Sequence, residues 1–245
     1  MPKRLEPLLC ELHAHTRWSD GSLSLRELVD LHGRRGIDVL CVTDHVVRDD
    51  DPWREVEGVD VRAVEENTWG RYLADIESEA ARARATYRML VVPGLELTFN
   101  DRDPREAAHA VAVGLRTFVS VHDGIADAMR EAADEGAAVI AAHPFARTDQ
   151  AENALRLTCG FAENLELREL AHRFELFNRS NLFPWVAEAG LPAVAGGDFH
   201  TVAHLAGWRT LVPCGESEEA LVSYLRSPRP VYLTRLEADV TRVAA

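Results

Sequence analysis

IDVLCVTDH, residues 37–45, is apolar from Ile37 to Val42 apart from Asp38, then turns polar at Thr43, Asp44 and His45. So short and apolar a run predicts a strand covered on both faces, the kind found in parallel sheets, with its polar end where a barrel strand hands over to its loop. The same pattern recurs. RMLVVPGLELT (88–98) is an apolar strand finishing in Glu96, and AAVIAAHPF (137–145) is one ending in His143 and Pro144. FELFN (174–178) runs into Asn178 and Arg179, LPAVAGGDFH (191–200) has its polar end at Asp198 and His200, and AHAVAVGL (108–115) carries His109. Helices are expected between these strands. Residues 24–36 begin with a Ser24/Glu27 capping box, place Leu25, Leu28, Val29 and His32 on one face, and stop at Gly36. Further helices are read at 64–86, 123–136, about 150–157 and 182–190, and the tail 216–234 reads helix then strand. Strands alternating with helices imply a parallel sheet with right-handed crossovers, closed as a barrel or open and doubly wound.

The polar strand ends decide between the two. In ELHAHTRWSDG (11–21), His13 and His15 project from one side of an extended strand, and Asp20 precedes a glycine where the chain can turn back over them. Asp44, His45, Glu96, His143, Asp198 and His200 all occupy strand ends too, and a parallel barrel brings such ends to one mouth. Imidazole with carboxylate suits zinc, manganese or iron, and the lack of a thiolate partner argues against a purely structural zinc.

The ordered motifs HxH, SDG, TDH, GLE, HAVAVGL, AHP and GGDFH resemble the metal signature of the PHP (polymerase and histidinol phosphatase) family, over residues 11–200. That resemblance implies a distorted (β/α)7 TIM-like barrel with a metal cluster at its C-terminal mouth. It implies nine ligands to three divalent ions: His13, His15 and Asp198 on one, His109 and His143 on a second with Glu96 bridging, and Asp20, His45 and His200 on the third. Asp20 stands where some relatives carry histidine. Phe199 replaces a small residue of many relatives and is expected to narrow the mouth. The implied activity is hydrolysis of a phosphate ester of a small, nucleotide-like or histidinol-phosphate-like molecule, with water acidified by the ions as nucleophile and no side-chain nucleophile. Arg17, Arg147 and Arg179, just beyond ligand or strand-end positions, are the candidates for gripping phosphate. Two alternatives use the same cluster: an amidohydrolase-like C–N hydrolase and a non-catalytic regulatory metal-binding domain.

Composition bounds the partners. The chain has 245 residues, enough for one domain over 1–245, and a formal charge of -13 that disfavours duplex nucleic acid and anionic membrane surfaces. No long apolar run or leader-like N-terminus is present, so the expectation is a soluble cytoplasmic protein. Cys10, Cys41, Cys159 and Cys214 lack CxxC spacing and read as reduced, mostly buried thiols. Oligomeric state is not legible. His32, His122, His172 and His204 read as surface or capping histidines, and Trp18 as packing or a pocket wall. Glu11 reads as a buried carboxylate or a partner of the clamp histidines, and Asp44 as a strand end or a hydrogen-bond partner of His45. Glu175 and Asn178 read as strand-end residues or, alternatively, substrate contacts, and the acidic runs 49–51 and 216–219 read as solvated charge.

Overall fold

The computed structural model describes residues 6–58, 61–146, 148–149 and 156–237, so Arg147 and most of the helix expected at 150–157 lie outside the described residues. In chain order the elements are β1 (Leu8–Glu11), α1 (Leu25–Arg34), β2 (Val39–Val42), β3 (His45–Val47), α2 (Glu66–Tyr87), β4 (Leu90–Phe99), β5 (Ala108–Val113), α3 (Ile125–Asp134) and β6 (Ala138–Ala142). There follow α4 (Gly160–Glu163), α5 (Leu165–Leu170), β7 (Arg173–Asn178), β8 (Asn181–Leu182), α6 (Pro184–Glu188), β9 (Ala193–Gly196), β10 (Gly207–Val212), α7 (Glu218–Leu225) and β11 (Tyr232–Leu236).

Together they form a mixed α/β structure around one curled sheet that fits a TIM-like barrel loosely. The run at 37–45 becomes β2 and β3, both parallel to β4, and β2 is also parallel to β1. Residues of β2 alternate between two apolar clusters: Leu40 and Val42 pack in the one that includes the helix faces, Val39 and Cys41 in the one against Cys10, Val92 and Ile140. Covering both faces is what the continuous apolar run requires. The Ser24/Glu27 box closes the start of α1, and the buried residues of that helix are Leu25, Leu28, Val29 and His32.

The expectation of a parallel sheet throughout is corrected at β5, β10 and the short β8, which is antiparallel to β7. β5 is antiparallel to both β4 and β6, because residues 100–107 are too few for the crossover of a dozen or more residues that a parallel return needs. The reversal puts the start of β5 beside the far ends of its neighbours, with His109 opposite Thr98 and Ala142. β10, not read from the sequence, lies antiparallel on β1. Beyond the strands, a bridge between Ala14 and Phe199 brings the extension of β9 onto that of β1.

Two residues read as solvent-facing are buried instead. Asp51 is 1% exposed, capping the short turn at Trp53 and accepting from the Asn100 amide. His32 is 1% exposed, with Nδ1 on the Leu28 carbonyl, beside Glu11. Glu11 and Arg209 form a fully buried ion pair, in which Glu11 Oε1 also accepts from the backbone N–H of His13 and Gly197. Arg209 reaches the carbonyls of His204 and Leu205, so the pair ties β1 to the segment after β9. Removing one member of such a pair strands a buried charge. Arg209→Met should therefore lower the unfolding free energy by about 3–5 kcal/mol, read as a reduced urea midpoint; an unchanged midpoint would contradict this role.

Candidate metal centre

His13 and His15 follow β1, His45 opens β3, Glu96 lies within β4, His109 is near the start of β5, His143 follows β6, and Asp198 and His200 follow β9. These residues converge. Three groups place their ligand atoms within 4.8 Å of one another: His13, His15 and Glu96; Glu96, His109 and His143; and His15, Asp20, His45 and His200. Glu96 spans the first two. Its Oε2 is 3.3 Å from Nε2 of both His13 and His15, while its Oε1 is 3.0 Å from His109 Nδ1 and 3.1 Å from His143 Nε2. Asp198 Oδ1 lies beside the first group, 3.7 and 3.6 Å from His13 and His15 Nε2. Asp20 Oδ1 gathers the third, 3.1 Å from His200 Nε2 and 3.5 Å from His45 Nε2. Ligand atoms around one tetrahedral ion with bonds of about 2.0–2.1 Å stand roughly 3.3 Å apart, and the observed spacings fall there.

The outward ring nitrogens show why the inward ones suit a cation. His13 Nδ1 donates to Glu175 Oε1 at 3.0 Å. Thr98 and Thr158 spend their hydroxyl protons on the carbonyls of Glu96 and His143, so they accept from the Nδ1–H of His45 (2.7 Å) and His143 (3.2 Å). Ser19, donating to Asp44, likewise faces His15 Nδ1, and His200 Nδ1 donates to the Asp198 carbonyl. Each of these five imidazoles thus turns Nε2 toward the cluster, while His45 Nδ1 also lies 2.9 Å from Glu96 Oε2 and His200 Nδ1 3.1 Å from Arg179 Nη2. His13 Nε2, His15 Nε2, Asp20 Oδ1 and Glu96 Oε2 are buried without a hydrogen-bond partner. Acceptors facing acceptors at such separations need a proton or a metal cation between them, and the donor set fits divalent metal.

The electrostatics agree. Burial works against a charged imidazole, yet Glu96, Asp198 and Glu175 hold His13 well above the usual imidazole range, and Glu96 and Asp20 raise His45. Burial also opposes charge on His200, but Asp198 and Asp20 push it up to about 10. His15 is held well below that range by burial, with His200 and His45 adding to the effect. Against burial, the imidazoles hold the Glu96 and Asp198 carboxyls well below the usual carboxylate range.

Backbone strain collects here. His143 and Asp198 adopt left-handed φ of 28° and 43°, which residues with a Cβ rarely do. Glu175 helps to hold them: Oε2 accepts from His143 N–H at 2.7 Å while Oε1 takes His13. A Cβ at Gly196 would run into Glu175, and one at Gly197 into Glu11, so the double glycine lets this segment lie directly on two buried glutamates. Glu175, held in turn by the Asn178 amide, therefore supports the site from beneath.

The other candidates fall as follows. Arg179 donates Nε to the Asp198 carbonyl at 2.9 Å, has Nη2 2.9 Å from Asp198 Oδ2, and keeps a third of its side chain exposed. Arg17 holds the Ser22 carbonyl and Glu27, and none of its described hydrogen bonds reaches the cluster. Trp18 packs edge-on against Tyr72. Asp44 takes Thr16 and Ser19 by backbone and side chain, fixing the turn after His15 where a bond to His45 was considered. Phe199 does not narrow the mouth: it is fully buried, edge-on to His32. Asn100 and Thr158 were missed, since a lone polar residue with no motif carries no signal in a single sequence.

No family model and no curated protein matches the chain. Solved structures do. A two-domain protein from Bacteroides vulgatus, described as containing a predicted PHP-like metal-dependent phosphoesterase, is 19% identical with a TM-score of 0.65, covering 95% of this chain and 66% of its own. This chain therefore spans just under two thirds of that protein's length. An amidohydrolase from Chromobacterium violaceum, with bound sulfate and no metal, is 17% identical with a TM-score of 0.51, covering 78% of this chain and 87% of its own. At these identities what is shared is the fold, and the fold of this chain is that of PHP-like metal-dependent phosphoesterase structures.

Proposed function

We propose that the chain is a metal-dependent phosphoesterase acting on a small phosphorylated molecule. The observation that carries the reading is the convergence of buried imidazole and carboxylate acceptors with their outer nitrogens already committed. In this reading β1, β2, β4, β5, β6, β7 and β9 form the distorted (β/α)7 barrel, with the cluster at its C-terminal mouth. His13, His15 and Asp198 would hold one divalent ion, His109 and His143 a second, and Asp20, His45 and His200 a third, with Glu96 between the first two. Zinc, manganese or iron suits such a set. Divalent ions bound there would acidify water near neutral pH and offer positive charge to phosphoryl oxygens.

The chain's own residues supply orientation. Glu175, Thr98, Thr158 and Ser19 lock the imidazole rings. Arg179 steadies Asp198 and, at the exposed edge beside His200, is the described arginine placed to meet a phosphoryl oxygen. Asp20, the most exposed of the carboxylates at 31%, marks the side from which a substrate enters. The sulfate on the amidohydrolase of like fold shows a tetrahedral anion on that protein, and its name keeps C–N hydrolysis as the second reading.

A panel of phosphomonoesters, short oligonucleotides and amide substrates, presented to metal-replete protein, decides between these. Turnover of a phosphomonoester that is abolished by chelator and falls at least about 10²-fold in Glu96→Gln is the expected result; turnover of amides alone would select the second reading, and none of either would end both. Metal loading should also release protons. With His13, His45 and His200 raised, an incoming cation displaces imidazole protons, so affinity rises with pH up through those raised values. Calorimetry of zinc binding at pH 7, in two buffers of different ionisation enthalpy, should show net proton release, and identical enthalpies in both would contradict it.

A further inference from the structure

One imidazole of the cluster is mounted the other way round. We infer that Asn100 and Asp51 are positioning residues that fix His109 with Nε2 as its proton donor and Nδ1 as its free face toward Glu96 and His143. This rests on the proposed metal-dependent reading and names how one ligand of that site is set.

The orientation follows from the acceptors. Asn100 Nδ2 lies 3.0 and 3.3 Å from the two carboxylate oxygens of Asp51, which can only accept, so the amide must turn its NH₂ to Asp51. Its Oδ1 then faces His109 Nε2 at 2.9 Å, and a carbonyl oxygen there requires Nε2 to carry the proton. The remaining nitrogen, Nδ1, points at Glu96 Oε1 at 3.0 Å. Asp51 is itself anchored by the backbone N–H of Trp53. Exposures of 1% for Asp51, 3% for Asn100 and 9% for His109 leave little water to substitute for any link.

Strand placement accommodates this orientation. His109 sits on reversed β5 opposite Thr98, so it is a diagonal, same-face neighbour of Glu96 across one strand pair. From there the nitrogen nearer the backbone reaches the shared carboxylate, as His45 Nδ1 also does from β3 at 2.9 Å, whereas His13, His15 and His143 approach with the distal nitrogen and His45 keeps its Nε2 for Asp20. Because the relay ends on a carboxylate, it also strengthens Nδ1 as a donor to a cation.

The test uses the full chain with ¹⁵N-labelled histidine, read by long-range ¹H–¹⁵N correlation in metal-free and zinc-loaded protein, with bound zinc counted by elemental analysis. His109 should show the Nε2–H tautomer in both states. Asn100→Leu should weaken one zinc equivalent about 10–100-fold while the others are retained. The double exchange Asp51→Asn with Asn100→Asp, which restores an acceptor facing Nε2 and an amide behind it, should recover that equivalent. Observation of Nδ1–H on His109, or full zinc binding at unchanged affinity in Asn100→Leu, would overturn the relay. If Asn100→Leu fails to fold, the wild-type tautomer and the double exchange decide. Wild-type protein that binds no zinc would sink the metal-dependent reading, while the metal-free spectrum would still decide the tautomer.

Discussion

Electron pairs pointing at electron pairs, deep in the protein, are the constraint around which this structure is built. Glu96 is fully buried; its Oε1 meets two imidazole nitrogens and its Oε2 three, at 2.9–3.3 Å. Bulk solvent does not reach the contact, because both clamp histidines have no exposed side-chain surface. A hydrogen-bonded core of this composition would ordinarily spread its donors among its acceptors. Here the outer donors are spent on threonines, a serine, a glutamate, an asparagine and a backbone carbonyl, so the inner space is left for positive charge. The neighbouring carboxylates that raise His13, His45 and His200 favour protons there, and under the proposed reading divalent cations would compete for the same atoms.

Holding so many acceptors together calls for a stiff support, and the support is itself ionic and buried. Glu11 with Arg209 fastens the backbone on either side of the site, and Glu175 ties His13 to the strained His143. Both glutamates lie under the double glycine that leads to Asp198. The left-handed φ of His143 and Asp198 persists because these contacts over-determine it. Rigidity at the base and exposure at Asp20, His45 and His200 divide the cluster into a fixed floor and an open rim.

What could be read from the residues depended on whether a signal was local. The capped helix after Ser24 is carried by neighbours along the chain and forms as its pattern predicts, while the run at 37–45 gives β2 and then, where a loop was expected, a second strand from His45, and His13 and His15 come together just beyond the end of β1. The reversal of β5 is set by a short link between strands that look alike in either direction, so only pairing reveals it. Asp51 sits in an acidic run that reads as solvated, and its burial comes from Asn100, distant in sequence. Glu175 has the composition of a strand-end substrate residue, and the approach of Gly196 from another strand turns it into a support. The nine residues that the family resemblance groups converge in the structure and each lies within a motif; the residues that orient them, such as Thr98, Asn100 and Thr158, belong to none.

A chain with formal charge -13 is an unexpected host for an anionic substrate, and the length scale of screening resolves the conflict. At physiological ionic strength charges more than about 8 Å apart across solvent scarcely feel one another, so the distributed surface acid repels a small anion weakly. A long polyanion would lie across many such charges at once and meet that repulsion in full. Under the proposed reading three divalent ions against Asp20, Glu96 and Asp198 leave a local excess of roughly +3 before any anion binds, concentrated where Arg179 already stands. Under that reading the same arrangement would admit a compact phosphate ester and turn away a duplex, through the contrast between a short-range positive floor and a diffuse negative surround.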